Sequence, residues 1–352
     1  MRYPEFLKKS DTIGFVAPSF GCNTEPYKSA FENALRKFRA LGHGTLLGPN
    51  VYEGSGIGIS ASPESCGKEL TEGFLSEESQ ALISCGGGEL MCEILDHVDF
   101  ERIRNARPKW YMGYSDNTNF TFLLNTLCDM ASIYGPCAPS FGMEPWHEAV
   151  EDAWALLHGE KTAFTGYPLF EMESLKDEEH PLEPYHVTET RRIRVYAPDG
   201  EGSRQLLPTD DPVEISGRLT GGCMDILVNL LGTKYDRVRS FSERYRDDGI
   251  IWFLEACDLN VFGIRRAVWQ MQHAGWFEHV KGFLIGRPLC FGQEMMNLDQ
   301  YRAVTDLLAG YGVPVIMDLD IGHMPPMIPV VSGAMASVKA AGGDFRIAYE
   351  FV

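Results

Sequence analysis

Short apolar runs alternate with amphipathic stretches through the first half of this chain, and that rhythm restricts its fold more than any other feature. Thr12–Ala17, Ala81–Cys85, Trp110–Tyr114 and Ile133-Tyr134 read as strands. Tyr27–Leu41 (ending at Gly42), Asn117 to about Met130, and Glu148–Leu157 read as helices. Strands apolar on both faces and separated by helices predict a mostly parallel, doubly wound α/β sheet. Sites in such sheets form beyond the carboxyl ends of the strands. The glycine run Gly86–Gly88 and Ser115 both fall at such ends.

Ser115 lies in Lys109-Trp-Tyr-Met-Gly-Tyr-Ser115-Asp-Asn-Thr118. The apolar run reads as a buried strand and the polar cluster as a helix start, with Gly113 allowing a tight bend between them. A serine on a sharp strand-to-helix turn is how many hydrolases expose a nucleophilic hydroxyl. The helix N-terminus beside it offers free N–H groups where an oxyanion would develop. The match to G-x-S-x-G is partial, because position 117 is Asn. Taken alone, such a serine is about as often a simple N-cap.

A serine nucleophile needs a base, and the base needs an orienting acid. The apolar strand Gly249–Leu254 ends in the carboxylate Glu255. The strand beginning at Val313 runs into Asp-Ile-Gly-His323-Met-Pro-Pro. Each has a plainer explanation, since strand-end carboxylates are usually caps or surface ion pairs and a lone loop histidine is usually just solvated.

The rest of the second half reads as mixed α/β. It resumes at Glu214–Gly222, followed by helices at Met224–Leu231, Val261–Gln272 and Leu298–Leu308, a strand at Lys281–Gly286, and a hairpin around Gly342-Gly343. Residues 166–212 differ in character: acidic and proline-bounded at 171–181, basic at Arg191–Arg194, then Pro-Asp-Gly-Glu-Gly at 198–202. Residues 1–165 are therefore expected to form the nucleophile domain, 166–212 a solvated connection, and 213–352 a second, smaller mixed α/β domain.

Taken together, Gly-Tyr-Ser115-Asp-Asn-Thr, Phe-Leu-Glu255 and Asp-Ile-Gly-His323-Met-Pro-Pro resemble the LD-carboxypeptidase family, which includes the microcin C immunity-type peptidases. Asp11–Ser19, Ser84–Glu89 and Ile133–Pro136 fit the same pattern in order along nearly the whole chain. The resemblance implies a serine peptidase with nucleophile Ser115, base His323 and orienting acid Glu255, placed in an interdomain cleft of a homodimeric enzyme. It further implies a murein tetrapeptide as substrate, cut to release D-alanine, or alternatively a peptidyl- or aminoacyl-nucleotide. Leu259, Asn260 and Val261 depart from the more acidic stretch the resemblance leads one to expect after Glu255.

For such a reaction the backbone N–H of Asp116 is the first oxyanion donor, and the glycine run supplies the second, with Gly88 preferred. Phosphate cradling by those glycines is the weaker reading, because neither G-K-[ST] nor G-x-G-x-x-G is present. Cys85 is a competing nucleophile at its own strand end. Glu89, Tyr185, Arg191 and Arg192 are candidate substrate contacts. Tyr185 would stack on a base, and the arginines would meet a phosphate or carboxylate. A non-catalytic small-ligand-binding protein on the same scaffold is the alternative outside enzymology.

The net charge of -18 argues against nucleic-acid or anionic-membrane partners, which need a basic footprint. No apolar run is long enough for a membrane helix, and the first residues lack a signal core. The nine scattered cysteines, without a C-x-x-C pair, suggest a reduced cytoplasmic protein. No zinc-type spacing occurs, so neither metal nor cofactor is expected.

Overall fold

A computed structural model describes residues 1–200 and 203–352. The chain divides into two compact units. The first comprises Met1–Lys161, Glu171–His186 and Pro329–Val331, and the second comprises Thr162–Phe170, Val187–Ile328 and Ser332–Val352.

The first unit is built on a six-stranded sheet in the order Val330–Ser332, Ser132–Tyr134, Trp110–Gly113, Ala81–Ser84, Thr12–Val16, Gly44–Leu47. The pairings from Ser132–Tyr134 to Gly44–Leu47 are parallel. Successive side chains leave a strand on opposite faces, and here both faces are covered. Phe15 packs edge-on to Phe31 of helix Tyr27–Ala40 at 5.4 Å, and Phe38 stacks on Trp154 at 5.3 Å. Its neighbour Val16 faces the other way, into a core with Leu70, Phe74, Leu82, Tyr111 and Phe120. Burying each such aromatic side chain contributes about 2–3 kcal/mol.

Helix Pro63–Leu75, absent from the sequence reading, covers that second face. Ser62 caps it by accepting from the Ser65 N–H at 3.3 Å, with proline at the first helical position. Its glycines weaken the helical signal but admit close neighbours, since a Cβ on Gly67 would lie 2.7 Å from the His97 backbone. The helix after Ser115 is shorter than expected. It begins with a 3-10 turn at Ser115–Asn117, and its α-helical part spans Thr118–Thr126. The Asn125 amide then donates to the Met130 carbonyl at 2.7 Å and Asp129 takes φ +55°, which turns the chain back toward its next strand.

The second unit has a nine-stranded mixed sheet. Its centre is parallel, with Val213–Cys223, Ile250–Glu255, Val280–Gly286 and Val315–Leu319 side by side. Helices Val261–His273 and Gln300–Leu308 connect these strands and start at the capping side chains of Asn260 and Asp299. Met335–Ala341 and Asp344–Glu350 form the expected hairpin, joined through Gly342-Gly343.

The 166–212 stretch is not a free connection. Arg194–Pro198 pairs antiparallel with Val315–Leu319, Leu206–Pro208 adds outside it, and 171–186 belongs to the first unit. Its strands are short and edge-like, so their own pattern is weak and the sheet beside them supplies the hydrogen bonds that order them. Glu201 and Gly202 of that stretch lie outside the described residues.

Candidate active site

In the first unit, Ser115 follows the buried strand Trp110–Gly113 and adopts φ +64°. This left-handed conformation costs a non-glycine residue roughly 1–2 kcal/mol, and it is the backbone signature of a serine held on a sharp turn. The Ser115 N–H donates to the Tyr134 hydroxyl at 3.1 Å, and Tyr134 comes from the next strand in the sheet. Gly113 is required by a close approach, since a Cβ there would sit 2.8 Å from Cγ of Asn117.

Asn117 occupies the place of the second glycine and does what a glycine could not. Its amide donates to the carbonyls of Gly86 at 2.8 Å and Tyr114 at 3.0 Å, and its oxygen accepts from the Tyr111 hydroxyl. The glycine loop is thereby clipped to the serine turn. A Cβ on Gly87 would lie 3.1 Å from the Ser115 hydroxyl oxygen, whereas one on Gly88 would meet Ser19 Oγ at 2.2 Å. Gly87, rather than Gly88, is therefore the glycine beside the serine hydroxyl. The N–H groups of Gly87, Gly88 and Asp116 donate to no acceptor among the described residues, so all three remain available to an oxyanion.

The Asp116 side chain has a structural task. It is buried and accepts from Ser19 Oγ at 2.5 Å, the Met91 N–H at 2.9 Å and Asn119 Nδ2 at 3.0 Å. Burial pushes its carboxyl up to about 6 against those hydrogen bonds. Cys85 is not poised as a nucleophile. It is 1% exposed, and burial, followed by its contact with Cys22, pushes its thiol well above the ordinary range. Glu89 is exposed, with its N–H bonded to the Gly58 carbonyl at 3.1 Å.

In the second unit, Glu255 ends a parallel strand and is fully buried, and its Oε2 lies 2.8 Å from His323 Nδ1. Gly322 makes this contact possible, because at φ +99° its missing Cβ would lie 2.4 Å from that same oxygen. The histidine loop is fixed at its root by a buried ion pair between Arg287 and Asp320. Asp320 also accepts the Tyr167 N–H on its carboxylate and the Ile328 N–H on its carbonyl, both at 2.8 Å. Burial alone would lower the His323 pKa, but the Glu255 carboxylate and the Cys257 side chain outweigh it and hold the imidazole well above its ordinary value.

Three further residues, none of them singled out by the sequence, shape this end of the sheet. Arg287 follows Val280–Gly286 directly and is buried, with no local pattern that marks it. Cys223 stands opposite Glu255 in the strand register. Asp225, in the first turn of helix Met224–Leu230, accepts from the N–H groups of Cys257 at 3.0 Å, Asp258 at 2.9 Å and Leu259 at 3.2 Å. An acidic residue in a first helical turn is the one cue that could have found it. The unusual Leu259-Asn260-Val261 is explained locally, since Asn260 caps the next helix through the Gly263 N–H at 2.9 Å.

The proposed nucleotide contacts fare differently. Tyr185 packs edge-on against His147 at 5.4 Å and hydrogen-bonds Ser140, and burial raises its hydroxyl pKa. The Arg191 side chain is mostly covered and turns to Asp344 at 3.4 Å. Arg192 remains exposed.

Two family models match the chain, one described as the LD-carboxypeptidase N-terminal domain over residues 13–135 and one as the LD-carboxypeptidase C-terminal domain over residues 216–338. A Bacillus subtilis protein named "Probable murein peptide carboxypeptidase" is 24% identical over 343 residues, covering 96% of this chain and 92% of that protein. The Microcin C7 self-immunity protein MccF of Escherichia coli is 23% identical over 352 residues, covering 98% and 95% respectively. Among solved structures, an MccF-like protein from Bacillus anthracis str. Ames superimposes with a TM-score of 0.80 at 21% identity, covering 99% of this chain and 100% of that one. MccF in complex with aspartyl sulfamoyl adenosine gives 0.79 at 19% identity over 100% of both chains. At these identities the structural likeness establishes the fold.

Proposed function

This chain belongs to the LD-carboxypeptidase family of serine-type carboxypeptidases, and on that premise we propose that it cleaves the amide preceding a terminal D-residue of a murein peptide. The observation that carries this reading is the pairing of His323 with the buried Glu255 at 2.8 Å, read together with the left-handed Ser115. Glu255 holds the Nδ1 proton of His323 and so leaves Nε2 as the acceptor. The Ser115 hydroxyl attacks the substrate carbonyl and passes its proton to Nε2. The oxyanion is met by the N–H of Asp116 and by an N–H of the glycine run. Collapse expels the terminal amino acid, whose nitrogen takes the proton from His323, and water then hydrolyses the acyl-serine by the same steps in reverse. No step requires a metal.

Hydrolysis of an aminoacyl-nucleotide uses the same groups but needs contacts for a base and a phosphate. For Arg191 to meet a phosphate, its contact with the exposed Asp344 at 3.4 Å would have to open. The decisive experiment is to incubate the protein in parallel with a murein tetrapeptide and an aminoacyl-sulfamoyl-adenosine. Release of D-alanine is the expected result. Release of nucleoside alone would reverse the substrate assignment, and turnover of neither by folded protein would leave a binding role.

A further inference from the structure

The second unit contains a nucleophilic side chain that the proposed mechanism does not use. Cys223 ends the strand Val213–Cys223, and in the parallel register its Cα partner is Glu255. Side chains at paired positions leave the sheet on the same face, so thiol and carboxylate are neighbours. His323 approaches the same point from its loop. One donor atom each from Cys223, Glu255 and His323 lie within 4.8 Å of one another.

We propose that Cys223, Glu255 and His323 form a binding site for a thiophilic divalent cation such as Zn²⁺, which inhibits the enzyme. Thiolate, carboxylate and imidazole are the three donor types that zinc takes, and three protein ligands leave its fourth tetrahedral position to water. On binding, the Cys223 thiol loses its proton to solvent and the imidazole coordinates in its neutral form. The cation then meets two anionic donors and one neutral one, so the charges cancel. The ligands are held in place before the metal arrives, Cys223 and Glu255 by strand pairing and His323 by the Gly322 turn. Asp225 lies behind the sulfur, accepting from the Cys223 thiol at 3.3 Å, and stands as an outer-sphere carboxylate.

The site itself does not depend on the reaction, whereas the inhibition rests on the proposed role of His323. A coordinated imidazole has no lone pair left to accept the Ser115 proton. The metal is thus an inhibitor rather than a cofactor, and a chelator leaves turnover unchanged or raises it.

The test is titration of the whole protein with Co²⁺, whose thiolate charge-transfer absorption reports coordination by cysteine, followed by displacement with Zn²⁺. The wild type should bind one ion with that band, and Zn²⁺ should remove it. Cys223→Ala should lose the band and bind at least about tenfold more weakly, since even an outer-sphere change costs that much. Cys223→Ser, closer in size, checks the same loss should the alanine variant be unstable. Cys92→Ala, which changes a thiol of the first unit, should keep the band. A band that persists in both Cys223 variants, or that vanishes only in Cys257→Ala, would overturn the site. Metal bound with the expected band but without effect on turnover would keep the site and remove His323 from the mechanism.

Discussion

The side-chain amide of Asn117 donates to the Gly86 carbonyl at 2.8 Å while its oxygen accepts from Tyr111, so one residue joins the serine turn to the glycine loop. The two segments are 31 residues apart in sequence. The proposed attack by Ser115 needs both together, one for the nucleophile and the other for an oxyanion donor.

Asn117→Gly restores the glycine of the common serine-turn pattern yet should impair the enzyme. It removes one hydrogen bond each from the Gly86 carbonyl, which keeps the Ser84 hydroxyl at 3.0 Å, and from the Tyr111 hydroxyl, at a net cost of about 0.5–1.5 kcal/mol each. Turnover should fall by roughly 10–100-fold as the oxyanion donors lose their position, with a smaller change in KM. Steady-state kinetics alongside thermal melting check this, and unchanged kcat would show that the clip is only structural.

Ser115→Ala should lower turnover by on the order of 10³ or more with the fold intact. Ser115→Gly should be equally inactive but more stable, because glycine relieves the strain of φ +64° by about 1 kcal/mol. That gain corresponds to a melting temperature higher by roughly 2–4 °C. A serine-directed phosphonate should label Ser115 in the wild type, and labelling of Cys85 instead would refute the assignment.

Turnover should rise with pH as His323 becomes neutral. The Glu255 carboxylate and Cys257 side chain, against the opposing effect of burial, hold its imidazole well above 6.5. The neutral base is therefore present only above that raised value, and activity is lost as pH falls through it. The midpoint of the kcat/KM profile should lie well above 6.5, the ordinary histidine value. Glu255→Gln should move it down and reduce kcat, while a midpoint at or below 6.5 in the wild type would contradict the pairing.

Glu69 sets a pH dependence of stability away from the catalytic groups. It accepts the N–H groups of Ala17 at 3.0 Å and Asn50 at 2.9 Å, yet burial raises its carboxyl from 4.5 to about 7. Between those values the native state retains a proton that the unfolded chain has released. Its contribution is thus full below about 4.5 and is lost as pH rises through about 7, a difference on the order of 3 kcal/mol at most. Melting temperatures between pH 5 and 8 should fall more steeply in the wild type than in Glu69→Gln, and parallel curves would exclude this origin.

The sequence by itself determined the parts of this protein that depend on neighbouring residues. Apolar runs and turn residues placed four of the first sheet's six strands, the Ser115 turn and the Gly342-Gly343 hairpin, because alternation and turn residues act over a few positions, whereas the edge strands Gly44–Leu47 and Val330–Ser332 carried no such signal. Glu255 and His323 were legible as strand-end residues by the same local logic. Their meeting was not, since 68 residues separate them and only the register of parallel strands brings their ends together. Tertiary structure likewise decided helix Pro63–Leu75, whose glycines serve close packing, and drew Arg194–Pro198 into a sheet its own residues do not specify. It also turned Arg191 toward Asp344 and set Cys223 opposite Glu255. A side chain's partner across a fold is fixed by how the backbone layers stack, which no short stretch of sequence encodes.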